Sequence, residues 1–229
     1  MKHYSTLVFD VGGTLLRLNL EALAQVYVNT ASALDAALDY GRAYNVISAL
    51  EAELPTWQQQ RQVSLDDDNG KEFWDSFYTA GFRRLGITRD VSAAVTEIRE
   101  RFQRAEFETL FDDVVPALDA LSSRGTSLGI LSNFSTNLED VLRQVGIHRY
   151  FDFFIVSAIA GVEKPDPRIF DLTARAANHP REEIVYIGDS IYHDIEGARR
   201  SGMDAILVDR PNRYPDFVGT RVRDLRELI

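Results

Sequence analysis

The sequence is 229 residues long, 45% apolar and 26% charged, enough for one or two domains with real hydrophobic cores and unlike a disordered segment. Its 35 acidic and 25 basic side chains leave a net charge of −10, which excludes a general nucleic-acid binder built on a basic face. It contains no cysteine, which excludes disulfides, thiolate nucleophiles and cysteine metal sites and fits a cytoplasmic setting.

Met1–Thr6 lacks the basic-then-apolar pattern of a signal peptide, and no apolar run approaches the ~18 residues of a membrane span, so no membrane partner is expected. Leu7-Val8-Phe9 reads as a short buried strand ended by Gly12-Gly13. From about Asn19 to Glu108 the pattern is helical. Leu20, Leu23, Ala24, Tyr27, Val28 and Ala31 recur at helical spacing, as do Phe73, Trp74, Phe77, Tyr78 and Gly81. Breaks are expected near Gly41, at Leu54-Pro55, across Asp66–Gly70 and at Gly86–Thr88, giving four or five helices and no strand. After Leu110 helices and strands alternate. Helix Val114–Ser122 precedes strand Ser127–Leu131; a helix then opens on a Thr136–Glu139 capping box and closes near Gly146. Strand Phe153–Ser157 is followed by a helix that Asp166-Pro167 starts, then by strand Ile184–Ile187 and helix Ile191–Arg200. Strand Ala205–Val208 and a last helix, Val222–Ile229, complete the chain. This alternation predicts an α/β fold with a doubly wound parallel sheet, interrupted after its first strand by an all-helical insert.

Four short segments stand just past predicted strands, where open α/β sheets bind ligands. They are Asp10–Leu15, Leu131-Ser132-Asn133, Glu163-Lys164-Pro165 and Gly188-Asp189-Ser190 with Asp194. One carboxylate could attack an anionic group such as phosphate while the hydroxyl orients it. An ammonium, and a divalent ion held between two carboxylates, could offset the charge. Taken singly each residue also has a plainer role. Asp10, however, directly follows Leu7-Val8-Phe9, and an acid is a costly end to a buried strand unless it has a partner. Ser132-Asn133 alone is ordinary turn chemistry. Lys164 is one of only three lysines, with Lys2 and Lys71, in a chain that otherwise writes positive charge as arginine, which points to a need for a compact point charge. Asp194 in the first turn of a helix is favoured by the helix dipole in any case. His193 is expected at the surface, Trp57 and Trp74 in a helical core, and Asp66–Asp68 in a solvated turn.

As an ordered set these segments resemble the haloacid dehalogenase-like hydrolase superfamily, in its form with a helical cap after the first core strand, and the resemblance covers essentially the whole chain. It implies a Rossmann-like catalytic core of residues 1–16 and 111–229 and a cap of residues 17–110 that closes over the crevice and selects the substrate. The first strand would sit at the switch point of the sheet. Asp10 would be the nucleophile that forms an aspartyl-phosphate. Gly12, Gly13, Thr14, Ser132, Asn133 and Lys164 would line the phosphoryl group, with Thr14 fixing the loop and Lys164 paired with the nucleophile. Mg²⁺ would be held by Asp10, Asp189 and the main-chain carbonyl of residue 12, with Asp194 behind. The implied partner is a small phosphorylated metabolite; the oligomeric state is left open.

The sequence departs from the family's phosphatases at Gly12, where they carry a second Asp that protonates the leaving oxygen. Loss of such a group typically costs ~10²–10⁴-fold in rate. Three readings follow: a phosphatase of substrates with good leaving groups, a catalytically weak member that binds a phospho-ligand or partner, or a 2-haloacid dehalogenase. Arg42 fits the last, but the dehalogenases carry an aromatic residue at the place of Gly12 and Ser and Asn in their last motif. Gly188-Asp189-Ser190 is of the metal-binding, phosphatase kind. Phosphonate cleavage would need a cap lysine, and Lys71 stands too far along the insert.

Overall fold

A computed structural model describes residues 2–58 and 67–229. The chain divides into two compact units, one of Met1–Arg17 with Leu110–Ile229 and the other of Leu18–Thr109. The first unit opens with β1 (Thr6–Phe9), whose four residues are all buried. A loop leads to β2 (Leu16–Leu18), and the chain then passes into the second unit: α1 (Leu20–Ala33), α2 (Tyr40–Gln58), α3 (Asp67–Arg84) and α4 (Ser92–Gln103). It returns through β3 (Glu108–Leu110), which pairs with β2 in a separate two-stranded sheet. There follow α5 (Val114–Ser123), β4 (Ser127–Ser132), α6 (Leu138–Gln144), β5 (Phe153–Val156), α7 (Ser157–Ala160), α8 (Pro167–Ala177) and β6 (Ile184–Gly188). A π-helical segment, Ile191–Glu196, runs into α9 (Gly197–Arg200), and β7 (Asp204–Val208) and β8 (Thr220–Val222) complete the sheet.

All pairings in the main sheet are parallel, in the order β5-β4-β1-β6-β7-β8. Its strands are short apolar runs because both faces are covered, as parallel sheets require. One core cluster joins Val8, Leu131, Tyr186 and Leu207 of the sheet to Ile169 and Phe170 of α8 and to Ile195 and Ala198. Asp166 caps α8 by accepting the Arg168 N–H, and Pro167 stands at its first helical position. Both signals were readable in the sequence. No helix among the described residues is long and apolar enough to cross a membrane.

The helical unit has its own core of Leu23, Tyr27, Ile47, Leu50, Phe77, Phe82, Ile98 and Phe107. Tyr27 stacks on Phe82 with ring centroids 4.0 Å apart, and Trp57 packs edge-on to Phe77 at 5.4 Å. Both tryptophans therefore lie in the core role expected of them.

Several boundaries differ from expectation. The helix α2 runs unbroken through residues 54 and 55 and already includes Gly41, because the break falls before it, at residues 34–39. Asp67 and Asp68 open α3 instead of forming a turn; Asp66 lies outside the described residues. The sixth helix starts one residue later than a Thr136 cap would place it: Asn137 is the residue before α6, and the Glu139 carboxylate meets Arg143 at 2.7 Å and His148 at 3.0 Å. Val222 belongs to an edge strand, and only Leu225–Leu228 is helical, started by a capping box of Asp224 and Glu227. The paired β2 and β3 were not visible as strands, since three residues carry too little periodicity.

Glu51 lies on α2 with Oε1 buried and without a hydrogen-bond partner among the described residues, and burial pushes its carboxyl from 4.5 up to about 7. Glu108 on β3 is raised to about 7, again chiefly by burial. A carboxyl raised in the folded state leaves stability intact below about pH 4.5, erodes it as the unfolded chain ionises, and costs nothing further above about 7. For Glu51 the erosion is at most about 3 kcal/mol. Urea unfolding followed by fluorescence of Trp57 and Trp74, the only two tryptophans and both in the helical unit, should show this slope. Glu51→Gln should flatten it in part; an unchanged slope would contradict the assignment.

Candidate active site

Asp10 directly follows β1, Ser132 ends β4 and Asp189 directly follows β6. Because β1 lies between β4 and β6, with Phe9 opposite both Ile130 and Ile187, the parallel register brings these three residues to one edge of the sheet. The chain lays β4 and β5 on one side of β1 and β6, β7 and β8 on the other. This reversal at β1 opens the crevice in which doubly wound sheets bind ligands.

Lys164 reaches the same place from the loop after α7. It is 3% exposed, and its Nζ donates to Asp10 Oδ1 at 2.7 Å, Asp194 Oδ1 at 2.6 Å and the Tyr186 hydroxyl at 2.8 Å. Ser132 Oγ donates to Asp10 Oδ1 at 3.2 Å. Asn133 turns its carboxamide to the main chain of Lys164, donating to its carbonyl at 3.0 Å and accepting its N–H at 2.8 Å. Asp194 Oδ2 accepts the Ser190 N–H at 2.9 Å.

The electrostatics follow from three carboxylates facing one ammonium. Burial works against the charge on Lys164, but the Asp10 and Asp194 carboxylates outweigh it and hold its pKa well above the ordinary value. Burial raises Asp10, with Lys164 working against the rise and Asp194 adding to it. Asp189 is raised furthest, by burial and then by the charges of Asp10 and Asp194.

Carboxylate oxygens of Asp10, Asp189 and Asp194 lie within 4.8 Å of one another. An all-oxygen donor set carrying more negative charge than its single lysine offsets fits a hard divalent cation such as Mg²⁺. The shape of the loop fits as well. Gly13 has φ +76°, and a Cβ there would fall 2.3 Å from Asp189 Oδ2, so only glycine lets that carboxylate sit over the turn.

The loop that follows Asp10 is fixed by its backbone. Gly13 N donates to Leu16 O at 2.8 Å, Leu15 N to Val11 O at 2.8 Å, and Arg210, paired with Asp113, donates to the Thr14 carbonyl at 2.7 Å. Thr14 Oγ1 is buried and has no partner among the described residues, so its hydroxyl does not tie the loop as expected. His193 is half-buried, not a surface side chain: the π-helical turn brings its Nδ1 to 3.2 Å from Ser190 Oγ, and burial lowers its pKa. Sequence reading missed Tyr186. A tyrosine inside a fully buried strand must find a partner for its hydroxyl, and that was the available signal.

Chemically, Asp10 is a carboxylate aimed by an ammonium and a hydroxyl at the mouth of a crevice that can take a cation, an arrangement suited to attack on an anionic electrophile. Gly12 and Gly13 should differ sharply in tolerance. A Cβ at Gly12 meets nothing within 4 Å, so Gly12→Ala should leave thermal unfolding within about 0.5 kcal/mol of the native chain. Gly13→Ala should cost at least about 1–3 kcal/mol. Equal costs in calorimetry would contradict this geometry.

A family model described as haloacid dehalogenase-like hydrolase matches residues 4–202. The glyceraldehyde 3-phosphate phosphatase of Methanopyrus kandleri is 35% identical over 161 residues, 64% of this chain and 68% of that protein. Haloacid dehalogenase-like hydrolase domain-containing protein 3 of Bos taurus is 33% identical over 143 residues, 61% of this chain but only 57% of its own length. Among solved structures, the HAD-hydrolase YfnB of Bacillus subtilis, bound to magnesium, superposes with a TM-score of 0.71 at 23% identity, over 99% of this chain and 97% of that one. A dehalogenase structure superposes at 0.73 with 18% identity, over 100% and 96%, a likeness of fold alone. The match over residues 4–202, on a parallel sheet with these residues at the end of its central strands, makes the chain a member of the haloacid dehalogenase-like hydrolase family.

Proposed function

We propose that the protein is a Mg²⁺-dependent phosphohydrolase of small phosphorylated metabolites that works through an aspartyl-phosphate on Asp10. The observation that carries this reading is the 2.7 Å contact of Lys164 Nζ with Asp10 Oδ1 inside a cluster of three carboxylates. A haloalkane carbon needs no cation beside it, whereas a phosphoryl dianion does. Relatives named as phosphatases, including the phosphoserine phosphatase of Thermus thermophilus at 31% identity over 148 residues, support a small phosphorylated substrate. In this reading the sheet unit is the catalytic core and the helical unit its cap, in a cytoplasmic setting.

Asp10 attacks phosphorus in line, the bond to the ester oxygen breaks, and the departing group takes the electron pair. Ser132 holds a phosphoryl oxygen and the Lys164 ammonium beside Asp10 offsets the phosphoryl charge during the transfer, and water then cleaves the acyl phosphate to return Asp10 and free phosphate. Mg²⁺, held by Asp10, Asp189 and the Gly12 carbonyl with Asp194 behind, would neutralise charge on the phosphoryl group.

At Gly12 no side chain is available to protonate the leaving oxygen. Alkyl phosphates should therefore react slowly, while acyl and aryl phosphates, whose leaving groups need little protonation, should react well. A Cβ added at Gly12 would stand in open space, so the first carbon of an added side chain meets no clash. The same gap favours one second reading, a weak catalyst that binds a phosphorylated ligand.

A phosphate-release screen over acyl, aryl and alkyl phosphates, with and without Mg²⁺, separates these readings. Metal-dependent release is expected, and Asp10→Asn should abolish it. Binding without turnover would support the second reading, and metal-independent halide release from a 2-haloacid would sink the first. Gly12→Asp should raise alkyl-phosphate turnover at least about 10-fold more than acyl-phosphate turnover. Equal effects would mean that another group already supplies the proton.

A further inference from the structure

Lys164 presents three N–H groups, and all three are engaged: two on the carboxylates of Asp10 and Asp194 and the third on the Tyr186 hydroxyl. Tyr186 lies in β6, wholly buried, with its ring edge-on to Phe170 at 5.7 Å. Its hydroxyl lies 2.8 Å from the Leu131 carbonyl and 3.2 Å from Asp194 Oδ1, two acceptors within reach of its single proton. One phenol thus links the ammonium to the backbone carbonyl just before Ser132, in β4. The neighbouring strand position makes room for this. Tyr186 and Gly188 share a face of β6, and a Cβ at Gly188 would fall 2.4 Å from Asp194 Cγ. Without a side chain there, Asp194 lies against the strand and meets Lys164 and Tyr186 together.

We propose that Tyr186 is a positioning residue of the site: its hydroxyl fixes the Lys164 ammonium where it engages Asp10 and Asp194 at once. Donors from Lys164 and Ser132 then converge on Oδ1 of Asp10, and neither of these side chains engages Oδ2. The nucleophile is held in one rotation, with the oxygen that neither donor occupies left for attack. The catalytic half of this inference rests on the phosphohydrolase reading; the hold on Lys164 does not.

The test is Tyr186→Phe in the full chain, which keeps the ring and removes the hydroxyl. The chain has only three lysines, so ¹⁵N-lysine labelling gives at most three ammonium signals, of which Lys164, the buried one, should exchange slowest with water. The variant should shift that signal and speed its exchange. With p-nitrophenyl phosphate and Mg²⁺ it should lower kcat roughly 10- to 100-fold while KM changes little. Added to Lys164→Ala it should cost nothing more, because the two residues act as one unit. An unmoved ammonium signal, or a full additive loss in the double variant, would overturn the proposal. A native chain without turnover whose ammonium signal still responds to Tyr186→Phe would defeat the phosphatase reading and support the hold on Lys164.

Discussion

An ammonium removed from water needs its charge and its three N–H groups answered locally, and for Lys164 the answers come from separate parts of the chain. Asp10 follows β1, Tyr186 lies within β6 and Asp194 sits on the π-helical segment after it. Asn133, past β4, grips the Lys164 backbone by both ends of its carboxamide. Lys164 cannot meet Asp10, Tyr186 and the Asn133 carboxamide together unless β4, β1 and β6 are adjacent, parallel and in register. The buried cation therefore makes the site and the sheet interdependent: a misregistered strand would leave an unpaired charge inside the core, which is among the most expensive errors a fold can make.

The cluster is also out of balance in a way that defines its chemistry. Three carboxylates face one ammonium, and burial drives Asp10 and Asp189 toward their protonated forms. A hard cation would relieve that excess with the oxygen donors already present. The surface offers no such help: acids outnumber bases by five in residues 17–110 and by five in the rest. On the phosphohydrolase reading, attraction for an anionic substrate is generated inside the crevice, where a low dielectric strengthens each local charge.

Glycines set the shape of this crevice as much as the charged residues do. Gly13 and Gly188 are sites of close approach, where a Cβ would strike Asp189 and Asp194 respectively. Gly12 is different, since the space beside it is open. Its lack of a side chain is thus no steric demand of the fold, and on the phosphohydrolase reading its bearing is on chemistry.

Much of this was legible before any coordinates. Alternating apolar runs with turn residues between them gave the parallel sheet, the helical insert and the helix start at Asp166-Pro167. The order of Asp10, Ser132, Lys164 and Asp189 along the chain gave the candidate site. What stayed hidden had short range or no local signature: the three-residue strands β2 and β3, the π-helical turn that half-buries His193, and the pairing of Glu139 with Arg143 and His148. The sequence by itself determined which chemical groups stand at the ends of which strands, because period and turn chemistry are local properties. Only the tertiary structure decided which oxygen each donor meets, that Tyr186 joins Lys164, and that Asn133 serves the Lys164 backbone, because those choices depend on register and burial between segments more than 20 residues apart.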